Sequence, residues 1–252
     1  MALVKKIRLK KGVKIFLGIL ALFVLIAFVE AHQRNQSLGD LHIRIVNQSE
    51  NYFLDSTEIQ RLLDVSADKN KKVANFRDLS VKAIESRIRA NLFVEDCEIA
   101  RNLRGDLFID VRLSRPMARF LRQGRPDFYI DSLGKIMPVS SRFTARVPLI
   151  SRDGNNQLPD FAKKDQGLLR LMQALHQDPF FRAQVSRLHI QQNGDIRIEV
   201  QLGEHFIEFG PSQDIAEKLK KIRIFYQEIL PLKGWKAYKR VNVKYRNQII
   251  CQ

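Results

Sequence analysis

Leu107-Phe108-Ile109-Asp110-Val111-Arg112-Leu113 decides how the first half of the chain folds. Leu107, Ile109, Val111 and Leu113 alternate strictly with Phe108, Asp110 and Arg112, the two-residue period of a strand with one face buried. Arg104-Gly105-Asp106 supplies a turn just before it. Val94 to Arg101 then reads as the preceding strand, with Cys97 and Ile99 pointing the same way. Further upstream, Val81, Ile84 and Ile88 fall at helical spacing behind Ser80, a residue suited to cap a helix. A charged loop, Asp68 to Lys72, separates that helix from an earlier one. The earlier helix starts at Asp55-Ser56-Thr57-Glu58 and has Ile59, Leu62 and Leu63 as its apolar stripe. Leu41 to Val46 opens the unit as a strand, with Leu41, Ile43 and Ile45 on one face. The order is β-α-α-β-β, which buries both helices on one sheet face.

Upstream of this unit, Ile15 to Val29 (IFLGILALFVLIAFV) carries no charge. Counted from Gly12, with Lys14 snorkelling, a helix to Val29 spans about 27 Å, close to the thickness of a bilayer's hydrocarbon core. Lys5, Lys6, Arg8, Lys10 and Lys11 precede it with no acid among them, whereas Glu30, Arg34 and Asp40 follow. This asymmetry predicts an N-terminus in the cytoplasm and a body outside it. A cleaved signal peptide is the competing reading, because Val29-Glu30-Ala31 places small residues at the right positions for a cut. The long apolar run, unbroken by Gly or Pro before that point, favours a retained anchor.

Downstream, Phe128 to Ile130 and Lys135 to Met137 are short strands around a Gly turn that ends at Pro138. Gln166 to Gln177 reads as a helix with Leu168, Leu169, Met172 and Leu175 buried, stopped by Asp178-Pro179. Val185 to Ile190, Ile196 to Val200 and His205 to Phe209 are strands in series whose turns favour antiparallel pairing. Asp214 to Leu230 is an amphipathic helix with Ile215, Leu219, Ile222 and Ile229 inward and Lys218, Lys220, Lys221 and Arg223 on other faces. Val241, Val243 and Tyr245 alternate with Asn242, Lys244 and Arg246 in a penultimate strand, and Ile249-Ile250-Cys251-Gln252 forms a short last one.

The layout, and several phrases within it, resemble the FtsQ (DivIB) family of bacterial cell-division proteins. A β-α-α-β-β module just outside a single N-terminal span is the arrangement of a POTRA domain. Gly105-Asp106-Leu107-Phe108-Ile109-Asp110-Val111 followed by Arg115-Pro116-Met117-Ala118 is similar to that domain's closing strand and exit. Tyr129-Ile130-Asp131-Ser132-Leu133-Gly134-Lys135-Ile136-Met137-Pro138 resembles the family's Y-I-D-x-x-G-x-x-x-P hairpin, and Ala145 to Ile150 the strand after it. The expected fold class is α+β: a single N-terminal transmembrane helix, a POTRA domain, then a mostly antiparallel β domain with two covering helices. The expected boundaries are a basic tail at 1–11, the span at 12–31, a linker at 32–40, the POTRA domain at 41–114 and the β domain at 115–252.

The net charge of +16, from 43 basic and 27 acidic residues, suits an anionic partner, either nucleic acid or an acidic membrane face. Part of that charge orients the span, and an exported body rarely meets DNA, so a nucleic-acid patch on the basic helix gives way to a solvated helix face. Ser132-Leu133-Gly134-Lys135 matches the S-x-x-K of penicillin-binding enzymes, and Ser49-Glu50-Asn51 matches S-x-N. However, Ser132 falls in a Gly turn, the order is wrong and K-T-G is absent, so an exported cell-wall enzyme is only an alternative. The five histidines (His32, His42, His176, His189, His205) show no i, i+4 pair, and Cys97 and Cys251 lack metal spacing. No phosphate-cradling loop occurs, and neither cofactor nor metal is expected.

Without a catalytic set, function falls to surfaces. A last strand at a sheet edge exposes backbone N–H and C=O groups that accept one more strand. Whether these residues bind a partner or only complete the sheet is open from the residues alone. The resemblance implies the former: in the FtsQ family the last strands bind FtsB and FtsL, small single-span coiled-coil proteins, and the family's tyrosine falls on Tyr245. The expected partner site is Val243, Lys244, Tyr245, Arg246, Gln248, Ile249 and Ile250, with basic side chains drawing acidic partner residues. The protein would then be a bitopic scaffold at the division septum, inserted in the inner membrane, that helps control septal peptidoglycan synthesis. A POTRA-type transport or envelope-assembly component is the other alternative.

Overall fold

The computed structural model describes residues 11–34, 40–47, 52–63, 81–102, 104–154 and 158–252. The expected charged loop at Asp68 to Lys72 and the Ser80 cap lie outside the described residues. The chain is mixed α+β and divides into two compact units, residues 1–46 with 54–112, and residues 47–53 with 113–252.

In the first unit, helix α1 runs Lys11–Arg34. Among the described residues, no helix is long and apolar enough to cross a membrane. Within α1 Phe16, Phe23 and Phe28 are exposed.

A three-stranded sheet follows, in the order β1 (Leu41–Ile45), β3 (Leu107–Leu113), β2 (Val94–Arg101). Strand β1 pairs with β3 in parallel, Leu41 opposite Leu107 through Ile45 opposite Val111. The alternation of β3 holds: Leu107, Ile109 and Val111 are buried, while Phe108 stacks on His42 at 4.8 Å on the other face beside the Arg44–Asp110 ion pair. Helix α2 (Ser56–Leu63) buries Ile59 and Leu63, and α3 (Val81–Arg89) buries Ile84 and Ile88. Asp55 and Glu58 form a reciprocal cap on α2: the Glu58 N–H donates to Asp55 Oδ1 (2.8 Å) and the Asp55 N–H to Glu58 Oε2 (3.3 Å).

The second unit is built on a nine-stranded sheet. Its strands are β4 (Pro116–Phe120), β5 (Phe128–Asp131), β6 (Ile136–Pro138), β7 (Leu149–Arg152), β8 (Val185–Ile190), β9 (Ile196–Val200), β10 (Phe206–Gly210), β11 (Arg240–Asn242) and β12 (Ile250–Cys251). The order is β12-β11-β10-β9-β8-β7-β4-β5-β6. Antiparallel pairs predominate, β8-β9-β10 among them, but β4·β7, β7·β8 and β10·β11 are parallel. Helical crossovers between β7 and β8 and between β10 and β11 return the chain in the direction it left, whereas β7 follows β4 by way of β5, β6 and a loop.

Strand β4 is missing from the sequence-based reading. Four of its five residues are buried, so it lacks the alternation of a one-sided strand. Helix α4 (Gln166–Gln177) keeps its expected bounds, but Leu171 rather than Leu169 completes its buried stripe. Asp178-Pro179 ends α4 as expected and also starts α5 (Pro179–Gln184), which the sequence reading had as a stop only. There Asp178 accepts the Phe180 N–H at 3.0 Å, and Pro179 occupies the first turn, where a missing N–H costs nothing. The covering helices therefore exceed the two expected.

The expected helix from Asp214 to Leu230 is not continuous. Helix α6 (Ile215–Ile224) passes into a π-helical turn, Phe225–Ile229, and a last α-turn, α7 (Leu230–Lys233). Pro231 has no N–H for the carbonyl four residues back, which removes one α-helical bond where the winding changes. Two of its lysines are also placed differently from expectation. Lys218 and Lys221 are buried, their Nζ atoms donating to the carbonyls of Pro211 (2.7 Å) and Tyr245 (2.6 Å). Long aliphatic stems let both ammonium groups reach backbone oxygen from inward positions, and Lys218 Nζ also lies 4.9 Å from the Phe209 ring.

The two edges of the large sheet differ. Strand β6 pairs antiparallel with β5, and the Asp131 N–H bonds to the Lys135 carbonyl at 3.1 Å. Inward and outward hydrogen bonding alternate along such a pair, so Ile136 and Pro138 face the open side. Pro138 has no N–H to offer there.

Candidate functional site

Strand β12 forms the other edge, and its register fixes what it exposes. Arg240 and Gln252 exchange both backbone hydrogen bonds at 2.9 Å, and the pairing continues as Val241 with Cys251 and Asn242 with Ile250. By the same alternation, Ile250 and Gln252 spend their backbone groups inward, while those of Cys251 point to the open side. The expected site list includes neither Cys251 nor Lys221. The two-residue period could have found Cys251 once the register was known, but no local signal marks Lys221.

The penultimate strand ends at Asn242, so Val243 and Tyr245 are not strand residues as expected. Val243 is buried, its N–H bonded to the Glu208 carbonyl at 3.1 Å. Beyond it the chain leaves the sheet for local reasons. Asn242 Oδ1 accepts the Lys244 N–H (3.0 Å), Lys221 captures the Tyr245 carbonyl, and Asn247 takes a positive φ of 55°. Tyr245 is thereby held in a turn, 53% exposed, with Arg246 and Gln248 exposed beside it.

Lys244 does not project freely. Its Nζ lies 2.5 Å from Asp195 Oδ2, and that hydrogen bond raises its pKa above the ordinary lysine value. Ile249 packs against the core, and Ile250 is 36% exposed. Of the expected residues, Tyr245, Arg246, Gln248 and Ile250 reach the surface together beside the edge, whereas Val243 and Lys244 support them from within. Below the turn, Glu208 accepts from Arg240 Nη2 (2.8 Å) and Asn242 Nδ2 (3.0 Å), tying β10 to β11.

Residues considered for chemistry fall elsewhere. Ser132 is exposed in a tight turn where Asp131 Oδ1 accepts the N–H groups of Leu133 (2.9 Å) and Lys135 (2.8 Å). Its carbonyl accepts from Gln173 Nε2 at 2.8 Å. This is an Asx turn, not the start of a buried helix. His189 and His205 do not meet. His205 is buried with Nε2 2.7 Å from Tyr226 Oη, and burial lowers its pKa. His189 Nδ1 lies 2.9 Å from Ser151 Oγ, and its Nε2 lies 3.2 Å from Asp153. This trio has the residue types of a hydrolytic triad. Yet the nearby cleft of about 300 Å³ is lined by Asp153 and by neither Ser151 nor His189. Among the described residues no group of three or more His, Cys, Asp or Glu side chains is placed to hold a metal ion.

The family model for the FtsQ/DivIB C-terminal related domain matches residues 115–252, more than half of the chain. The chain belongs to the FtsQ/DivIB family. It is similar to the cell division protein FtsQ of Salinibacter ruber, 25% identical over 158 residues. That stretch covers 60% of this chain and 60% of the relative. Membership of the FtsQ/DivIB family points to a role in cell division, and the matched residues include the whole of the nine-stranded sheet.

Proposed function

We propose that this protein is a membrane-tethered, non-enzymatic scaffold of the division complex that accepts a strand from a partner along β12. The observation that carries the reading is the outward-facing backbone of Cys251, with Tyr245, Arg246, Gln248 and Ile250 exposed around it. An open edge supplies main-chain hydrogen bonds, and Tyr245 supplies a large contact surface at small entropic cost. Arg246 favours an acidic residue on the incoming segment. The family resemblance names that partner as FtsB, bound together with FtsL.

The tether in this reading is α1. Support comes from the uncharged run Ile15 to Val29, the basic residues before it and the exposed apolar side chains between Phe16 and Phe28. The N-terminus would be cytoplasmic and the body outside the inner membrane, at the septum. The POTRA domain (41–114) would localise the protein, and the β domain (115–252) would hold the partner.

The test uses the full chain in detergent with FtsB and FtsL from the same organism. Cys251→Pro deletes one outward N–H and leaves the inward bonds of Ile250 and Gln252 in place; Cys251→Ala keeps that N–H. Loss of partner capture in the proline variant alone, with melting unchanged, is the expected result. Equal capture by both variants would rule out strand addition at this edge.

A further inference from the structure

Most arginines on the large sheet and its covering helix α6 are paired. Arg119 meets Asp127 (2.7 Å), Arg240 meets Glu208 (2.8 Å), and Arg152 and, on α6, Arg223 pair with Asp165 and Asp178. A cleft of about 450 Å³ in the second unit holds two arginines, Arg146 and Arg182, that lack such a partner among the described residues. It is lined by Arg115 just before β4, Arg146 in the segment leading to β7, His176 in the last turn of α4 and Arg182 of α5. Tyr52 and Phe143 form one wall, edge to face at 5.8 Å, with Pro116 and Val147 adding apolar surface. Among the described residues no acidic side chain lines it, and neither Arg146 nor Arg182 forms an ion pair.

Like charges gathered in one concave site repel, which raises the free energy of the empty protein. His176 registers this: burial, and then the positive charges of Arg182 and Arg115, lower its pKa below the ordinary histidine value. An oxyanion entering the cleft would relieve that repulsion. Guanidinium groups match carboxylate geometry, and arginine beside aromatic side chains is the composition of protein-recognition patches.

We infer that this cleft binds an acidic peptide segment, its carboxylates on Arg146 and Arg182 and an apolar side chain against Tyr52 and Phe143. The apolar wall and the open shape favour a peptide over a bare phosphate ion. The site is separate from the β12 edge. Strands β8 to β11 lie between β7 and β12, so the centres of the two sites are roughly 24 Å apart at ~4.8 Å per strand. One chain could hold both partners at once.

Fluorescence anisotropy of a labelled peptide alternating Glu with Phe, against the full chain in detergent, tests this. A peptide with Lys in place of Glu is the charge control. The double variant Arg146→Glu, Arg182→Glu should bind the acidic peptide at least about tenfold more weakly. Arg125→Glu, an exposed arginine outside the cleft lining, should bind as wild type. Cys251→Pro should also bind as wild type, which separates this proposal from the edge proposal. Variants are compared only where thermal melting matches wild type. Equal weakening by Arg125→Glu, no preference over the Lys peptide, or binding of pyrophosphate with the acidic peptide silent would each overturn the inference.

Discussion

Lys221→Met should loosen the turn that presents Tyr245. In the folded protein Lys221 Nζ donates to the Tyr245 carbonyl at 2.6 Å and lies 3.3 Å from Glu217, and its side chain is only 9% exposed. Methionine keeps most of the stem's packing and removes the charge. A hydrogen bond from a charged donor contributes about 1.5–3 kcal/mol, and a helical pair four residues apart adds a few tenths. Two effects reduce that sum: methionine needs no desolvated ammonium, and the freed carbonyl sits in a half-exposed turn where water can replace the donor. The net expectation is a loss of about 1–2 kcal/mol. With a urea slope of ~2 kcal/mol per molar, the unfolding midpoint drops by roughly 0.5–1 M. Partner affinity should fall as well, since the backbone between Tyr245 and β12 loses its anchor. A midpoint within about 0.2 M of wild type, with unchanged affinity, would refute the claim that Lys221 holds the site.

Acid should destabilise the protein through His205. Its folded pKa lies below the unfolded value near 6.5, so the unfolded chain binds more protons as pH falls. Stability is therefore fully present above about pH 6.5 and declines below it. His205→Gln should flatten that decline, although His176, shifted the same way, leaves part of it. Thiol labelling should separate the two free cysteines. Cys97 is fully buried, with its pKa pushed up to about 11, and should react only on unfolding, whereas Cys251 should label slowly in the native chain and be protected by a bound partner strand. Gly210 sits at φ 74° where β10 shifts register, and an added Cβ would lie 2.8 Å from Lys244 Cγ. Gly210→Ala should cost about 1–2 kcal/mol from the left-handed backbone, read as a lower melting temperature.

Strands with one wet face were legible because their period survives in the residues. Leu107 to Leu113 and Ile196 to Val200 both hold within their expected bounds. Strand β4 was not, because burial on both sides erases the alternation. Helix α5 was missed because Pro179 both ends one helix and is well placed to begin the next. The inward lysines show a limit of another kind. Polarity puts Lys218 and Lys221 outside, and only the carbonyls of Pro211 and Tyr245, supplied by distant backbone, make burial affordable. The candidate site was legible to a similar extent. Its region could be read from the last strands, but which residues face outward depends on the β11–β12 register, and that is set across the turn by Lys221 and Asn242.

Pro138, at the far edge of the same sheet, bears on stoichiometry. A sheet with two competent edges is a template for open-ended growth, in which the last strand of one copy docks on the first strand of the next and a fibre results. Here Pro138 removes one of the two outward donors of the β6 edge and leaves that of Ile136, while β12 keeps the N–H of Cys251. Addition at β6 is therefore weakened, since a docking strand meets a carbonyl but no donor at Pro138. That weakening works against a fibre in which the last strand of one copy docks on β6 of the next.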